Sequence, residues 1–248
     1  MVKRACLFIH GWMTDVKDFD VLENYLYFYD KIEYCKLPGH NDEPLNHKLL
    51  NPQSAVDAVL TAFDGLQNEG YVIDVVGYSL GGALTTFLAG KRKVNKIVLV
   101  APANKYINFS TAKDNAKFLL DKVNAVYRKA QGTSKERWQK VFSSLTPMAN
   151  DTKFWIDLTA KRIWCFSLYT YAMFAQTIDF CNANLRPSST PALILWGELD
   201  QLVPESTVFH VQKYFSNNRY VKLKGVSHLV FQSSRGLYVM ERIVNFLR

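Results

Sequence analysis

The chain has 248 residues, 48% hydrophobic and 21% charged, with 12 Gly, 8 Pro and 4 Cys; this excludes a disordered, collagen-like or disulfide-framed protein and is ample for a large core. Its 30 Lys+Arg exceed its 22 Asp+Glu for a net charge of +8. That balance admits a nucleic acid, an anionic membrane surface or an acidic partner until the charge is placed along the chain.

The opening MVKRACLFIHGW sets a basic pair before an apolar run. Residues 5–9 are too short for a signal-peptide core and lead into His10-Gly11, not a small-residue cleavage site, so they read as a buried strand. Residues 16–28 repeat apolar side chains at helical spacing, and 31–37 are strand-like up to Pro38-Gly39. Residues 52–67 carry a helical stripe of Ala55, Val56, Val59, Leu60, Phe63 and Leu66. A strand over 71–76, a helix over 80–89 and a strand over 97–100 follow. After a long interval come a strand at 192–196, a helix at 205–215, a strand at 220–223 and a last helix at 236–247. Strands alternating with helices predict an α/β fold, a mostly parallel sheet of about six strands with helices on both faces.

Residues 103–191 differ in kind. No strand pattern interrupts them, Thr111-x-x-Asp114 and Thr133-x-x-Glu136 both read as capping boxes, and 151–180 are rich in helix formers and aromatics. A helical insertion between two strands of one sheet is expected, giving a core of 1–102 and 192–248 and a lid of 103–191. The longest apolar stretch, 163–180, contains Ser167, Thr170, Gln176, Thr177 and Asp179, so no transmembrane segment is expected. Cys6, Cys35, Cys165 and Cys181 form no CxxC pair, which fits a reduced, cytoplasmic protein.

The segment that carries chemistry is Gly77-Tyr78-Ser79-Leu80-Gly81-Gly82. A bare G-x-S-x-G match is weak. Here a predicted strand precedes it and a predicted helix follows, the setting in which a serine on a strained turn needs small neighbours two residues away. Serine also needs a base oriented by a carboxylate. Asp200, in Gly197-Glu198-Leu199-Asp200, follows the strand at 192–196, and His228, in Gly225-Val226-Ser227-His228, follows the strand at 220–223. Ser79, Asp200 and His228 are therefore the candidate nucleophile, orienting acid and base, each beyond the C-terminal end of a parallel strand. The first strand ends in His10-Gly11-Trp12, a turn that faces the serine if the two strands are neighbours. The backbone N–H groups of Leu80 and Trp12 are the expected oxyanion hole. The Trp12 side chain either lines an acyl pocket or packs over its entrance, and His10 is expected to make a structural hydrogen bond.

The motifs FIHGW, LPGH, GYSLGG, WGELDQLVP and GVSHLVF occur in that order, and with them the chain resembles the α/β-hydrolase superfamily over nearly its whole length. The resemblance implies the α/β-hydrolase fold, a lid inserted after the strand at 97–100, and catalytic Ser79, Asp200 and His228. Such a mechanism requires no cofactor, and no Cys/His metal spacing or glycine-rich phosphate loop is present in the sequence. Two features depart from the superfamily pattern: no antiparallel hairpin precedes the HG strand, and Asn41 stands where glycine usually follows LPGH. Within the superfamily the sequence looks like carboxylesterases, including methyl esterases of acyl groups borne on acyl carrier protein, and like monoacylglycerol lipases. The expected function is cleavage of a carboxylic ester with a hydrophobic or medium-chain acyl group. A thioesterase or acyltransferase on the same triad, or a non-catalytic ligand receptor of the same fold, are the alternatives.

The lid is rich in aromatics, which either pack against the core or roof the site; Trp164 and Phe174, with Trp12, are the expected substrate-binding residues. It also holds 13 Lys+Arg against 6 Asp+Glu, whereas the rest of the chain is nearly balanced at 17 against 16. The basic character thus belongs to the lid. Nucleic acid is disfavoured, because the bases follow no recognition motif. A solvated helical surface or a docking face for an acidic acyl carrier or anionic lipid surface are the two accounts.

Overall fold

Short aliphatic runs bounded by turn residues become six strands in a computed structural model, which describes residues 2–14, 16–40, 46–105, 131–133, 136, 168–200, 202–231, 233 and 235–248. They are β1 (Arg4–Ile9), β2 (Lys31–Cys35), β3 (Val72–Tyr78), β4 (Ile97–Val100), β5 (Ala192–Gly197) and β6 (Asn218–Leu223). One sheet contains them in the order β2-β1-β3-β4-β5-β6, with every neighbouring pair parallel. Every residue of β4 and β5 is buried; helices cover both faces, and the strands read as continuous apolar runs for that reason. The chain leaves β1 to one side for β2 and returns to the other side for β3. The crevice beside β1 and β3 is thus the topological switch point, where open α/β sheets place ligands.

The helices are α1 (Asp20–Glu23), α2 (Pro52–Asn68), α3 (Leu80–Ala89), α4 (Leu168–Ala183), α5 (Ser206–Gln212) and α6 (Gly236–Leu247). On one face, residues of α2, α3, α4 and α5 join Leu7, Ile9, Val75 and Leu99 in a single apolar cluster. On the other, Phe19, Leu22 and Leu26 join Met240 and Ile243 of α6 against Cys6, Phe8, Val76 and Val98. Asn51 caps α2: its side chain accepts from Ser54 N at 2.9 Å while Ser54 Oγ accepts from Asn51 N at 3.0 Å, and Pro52 starts the helix where no N–H is needed. Thr133 and Glu136 also exchange capping-box bonds, Thr133 N to Glu136 Oε2 at 2.7 Å and Glu136 N to Thr133 Oγ1 at 3.5 Å. Thr111 and Asp114 lie outside the described residues.

The structure shortens the first expected helix. Residues 16–28 yield a 3₁₀ turn at Val16–Phe19 and the four-residue α1, because the chain must then turn to deliver Tyr29 to Asp74. Asp74, fully buried on β3, accepts from Tyr29 Oη at 2.6 Å, Arg4 Nη2 at 2.7 Å and Asn95 Nδ2 at 2.7 Å. Arg4 Nη2 also donates to Leu247 O at 2.7 Å, so this network ties β1 and β3 to the end of α6. At the far edge, β6 begins at Asn218, two residues before the apolar pattern does; Asn218 and Arg219 are partly or wholly exposed, as an edge strand allows.

Candidate active site

Ser79 sits between β3 and α3 at φ 54°, ψ −116°. Such a conformation costs a non-glycine residue about 1–3 kcal/mol and survives only where the surroundings over-determine it. Those surroundings require glycine. A Cβ on Gly77 would lie 2.2 Å from Thr85 Oγ1, and one on Gly81 would lie 1.9 Å from Ile9 O. Backbone bonds grip the turn: Ser79 N donates to Val100 O, while Gly82 N and Ala103 N donate to Ser79 O, all at 2.9 Å.

Asp200 and His228 reach the same point from β5 and β6. His228 Nδ1–H donates to Asp200 Oδ2 at 2.8 Å, which leaves Nε2 to accept the Ser79 hydroxyl at 3.1 Å. Asp200 Oδ1 accepts from Leu202 N and Val203 N, both at 2.9 Å. Trp196 Nε1 holds this loop by donating to Val203 O at 2.9 Å, and Leu199 N donates to Val226 O at 2.9 Å, which joins the aspartate loop to the histidine loop. Ser79 and Asp200 are each 9% exposed. In so sheltered a place a fixed carboxylate holds a charge on the imidazole far better than water-exposed groups would. The arrangement can take a proton from a hydroxyl and stabilise the resulting imidazolium.

The turn after β1 borders the serine. A Cβ on Gly11 would lie 3.0 Å from Ser79 Cβ, and Thr14 Oγ1 donates to Gly11 O at 2.9 Å. Leu80 is the first residue of α3. The Trp12 ring stacks on Phe174 of α4, with centroids 4.6 Å apart and planes at 21°, and lies 6.3 Å from Tyr171. Phe174 itself is buried in the core cluster, packed under Trp12. Trp164 lies outside the described residues, as does most of the base-rich segment. His10 is fully buried; its Nδ1–H donates to Gly11 O at 2.9 Å and Nε2 accepts from Leu37 N at 3.3 Å.

No competing nucleophile or metal cluster stands out among the described residues. Burial pushes the thiols of Cys35 and Cys181 up to about 12 and that of Cys6 well above its ordinary value, so all three stay protonated at neutral pH. No group of three or more His, Cys, Asp or Glu is placed to hold a metal ion among the described residues. Sequence reasoning missed several residues that hold the site: Thr14, Tyr78 and Trp196. Each acts on a backbone carbonyl, Thr14 on Gly11 O, Tyr78 on His228 O and Trp196 on Val203 O, and residue-type patterns do not reveal such pairings even where both partners lie in motifs.

Comparison with known proteins agrees with this architecture. A family model described as the alpha/beta hydrolase family matches residues 6–241. A pimeloyl-[acyl-carrier protein] methyl ester esterase of Neisseria meningitidis serogroup C is 25% identical over 238 residues, covering 94% of this chain and 89% of the relative. A solved structure of the metagenome-derived lipolytic enzymes LipS and LipT superposes with a TM-score of 0.65 at 14% identity, covering 100% of this chain and 94% of that one. The monoacylglycerol lipase of Paleococcus ferrophilus superposes with a TM-score of 0.64 at 16% identity, covering 100% and 96%. These two likenesses show the fold. With the family model spanning nearly its whole length, the chain belongs to the alpha/beta hydrolase family.

Proposed function

We propose that this hydrolase cleaves carboxylic esters through an acyl-enzyme on Ser79. The observation that carries the reading is the hydrogen-bond chain from Asp200 through His228 to Ser79 Oγ. His228 Nε2 takes the Ser79 proton as Oγ attacks the acyl carbonyl, and the carbonyl π electrons move onto oxygen. The N–H groups of Leu80 and Trp12 hold that oxyanion; the position of Gly11 against Ser79 and of Leu80 at the start of α3 supports this assignment. As the intermediate collapses, the departing alcohol oxygen takes the proton from His228 Nε2. Water then repeats the sequence on the acyl-enzyme, releasing the acid.

An acyl chain of apolar character is the proposed substrate, with Trp12, Phe174 and Trp164 shaping its pocket. The half-buried Trp12 ring, backed by Phe174 and bordered by Tyr171, supports an apolar wall beside the serine. Residues 103–191 form the lid in this reading, and its excess of bases meets an acidic acyl carrier or an anionic lipid surface. The relative's name points to an acyl methyl ester on a carrier protein as the first substrate to test. A cytoplasmic setting is part of the proposal, supported by buried, free Cys6, Cys35 and Cys181.

The test is a turnover screen of aryl esters, acylglycerols, acyl-CoA thioesters and carrier-borne methyl esters, with Ser79→Ala as control. Ester turnover lost in Ser79→Ala, together with covalent labelling of the native protein by a fluorophosphonate, is the expected result. Absence of both turnover and labelling in the native protein overturns it. Charge reversal at Lys122, Arg128 and Lys129 is expected to weaken turnover of the carrier-borne ester and spare small esters; equal effects on both remove the carrier from the proposal.

A further inference from the structure

We propose that Tyr78 is a positioning residue for His228, setting where the imidazole stands relative to Ser79. The inference rests on the reading of His228 as the base. Tyr78 is the last residue of β3 and is 1% exposed. Its hydroxyl donates to the backbone carbonyl of His228 itself at 2.9 Å. Its ring lies 5.5 Å from the imidazole, tilted by 32°, and meets Phe231 edge-on at 5.5 Å. The same His228 carbonyl accepts from Val230 N at 2.8 Å, so a main-chain and a side-chain donor converge on one oxygen.

The consequence is geometric. Ser79 and His228 are 149 residues apart in the chain, yet one peptide bond and one hydrogen bond through Tyr78 join the nucleophile to the backbone of the base. Asp200 holds the rotation of the ring through Nδ1. Tyr78 holds the backbone from which the ring projects. The histidine loop has other fastenings, Leu199 N to Val226 O at 2.9 Å and Gly225 N to Glu198 Oε2 at 3.1 Å. Removing the hydroxyl therefore leaves the loop folded but frees Nε2 to move away from Oγ, and a misplacement of ~1 Å is enough to cost up to ~100-fold in rate.

Tyr78→Phe removes the hydroxyl and keeps the ring. The expected result is a fall in kcat of about ten-fold or more with KM within about two-fold of native. The downfield proton resonance of His228 Nδ1–H, retained because Asp200 still accepts it, should shift or broaden. In a His228→Ala background, where no base remains to be positioned, Tyr78→Phe should cause no further loss of residual turnover. Tyr78→Trp, which also lacks an oxygen at that place, is the second variant and should lose kcat likewise. Native kcat in a folded variant, or an equal loss with and without His228, overturns the inference and reduces Tyr78 to packing. Retained turnover in Ser79→Ala instead sinks the proposed mechanism, whatever the Tyr78 variants do.

Discussion

Two aspartate-centred networks lie at opposite ends of the same sheet, and they are built for different ends. At the N-terminal ends of the strands, Asp74 is wholly buried and accepts from a guanidinium, a phenol and an amide, all within 2.7 Å. Burial, then the neighbouring Cys6 and Asp74, push the Tyr29 phenol well up, so it remains a donor at any moderate pH. Each of these bonds ends on a group that keeps its proton. At the C-terminal ends, Asp200 is held as firmly, but its chain runs through an imidazole to a serine hydroxyl. Strain separates the two ends as well. The non-glycine residues at positive φ among those described are Met13, Ser79 and Ala101, which follow β1, β3 and β4 on the site side. One network closes the fold, and the other sets a strained serine at the end of a hydrogen-bond chain from a held carboxylate.

This contrast is open to direct attack. Ser79→Ala or Asp200→Asn should lower kcat by about 10⁴-fold or more while leaving the melting temperature almost unchanged; ester turnover and thermal unfolding on the same samples check both halves. Asp74→Ala should do the reverse. With Arg4 and its companions left facing an empty place, the loss of stability is expected at about 3–5 kcal/mol by urea unfolding, with kcat near native below the transition. A large kcat loss there would break the division of labour. Tyr29→Phe removes a single donor to the same carboxylate, and a loss of about 1.5–3 kcal/mol is expected from the same unfolding curves.

Met13→Gly probes the strained side. Relief of its φ of 61° should raise stability by up to about 1 kcal/mol while loosening the turn that carries Trp12, so kcat falls as the melting temperature rises. An exposed pair provides the smallest effect and a control for the buried one. The Arg92 hydrogen bonds hold the Asp64 carboxyl below its ordinary value. A lowered folded-state value means the contribution is complete above the ordinary aspartate range and is lost as pH falls through the lowered one. Because both side chains are about one-third exposed, Arg92→Ala should cost no more than about 0.5 kcal/mol at neutral pH. The native and variant unfolding curves should converge in acid.

Much of the fold was legible in the sequence. The helices at Leu80–Ala89 and Gly236–Leu247 and the strand at Ile97–Val100 have the bounds that their apolar patterns predict. Errors fell where tertiary demands override local pattern. The helix expected through Phe28 stops early so that Tyr29 reaches Asp74, and β6 starts on Asn218 because an edge strand tolerates polar residues. At the site, Ser79, Asp200 and His228 could be singled out because each closes a strand with turn residues. The bonds that aim them could not be. Nothing in the sequence pairs Tyr78 with a carbonyl 150 positions away, or Trp196 with Val203 O, or places Phe174 beneath Trp12.

The sequence by itself therefore determined the alternation of strands and helices, the glycines at the serine turn and the candidate residues Ser79, Asp200 and His228. These are local properties, read from spacing within a few residues. The tertiary structure decided which strands are neighbours, and with that the 2.8 and 3.1 Å contacts of His228, the closeness of Gly11 to Ser79 and the separation of the two aspartate networks. Sheet order brings together residues that no local pattern relates, and side-chain geometry at the sub-ångström level exists only once the core on both faces of that sheet has packed.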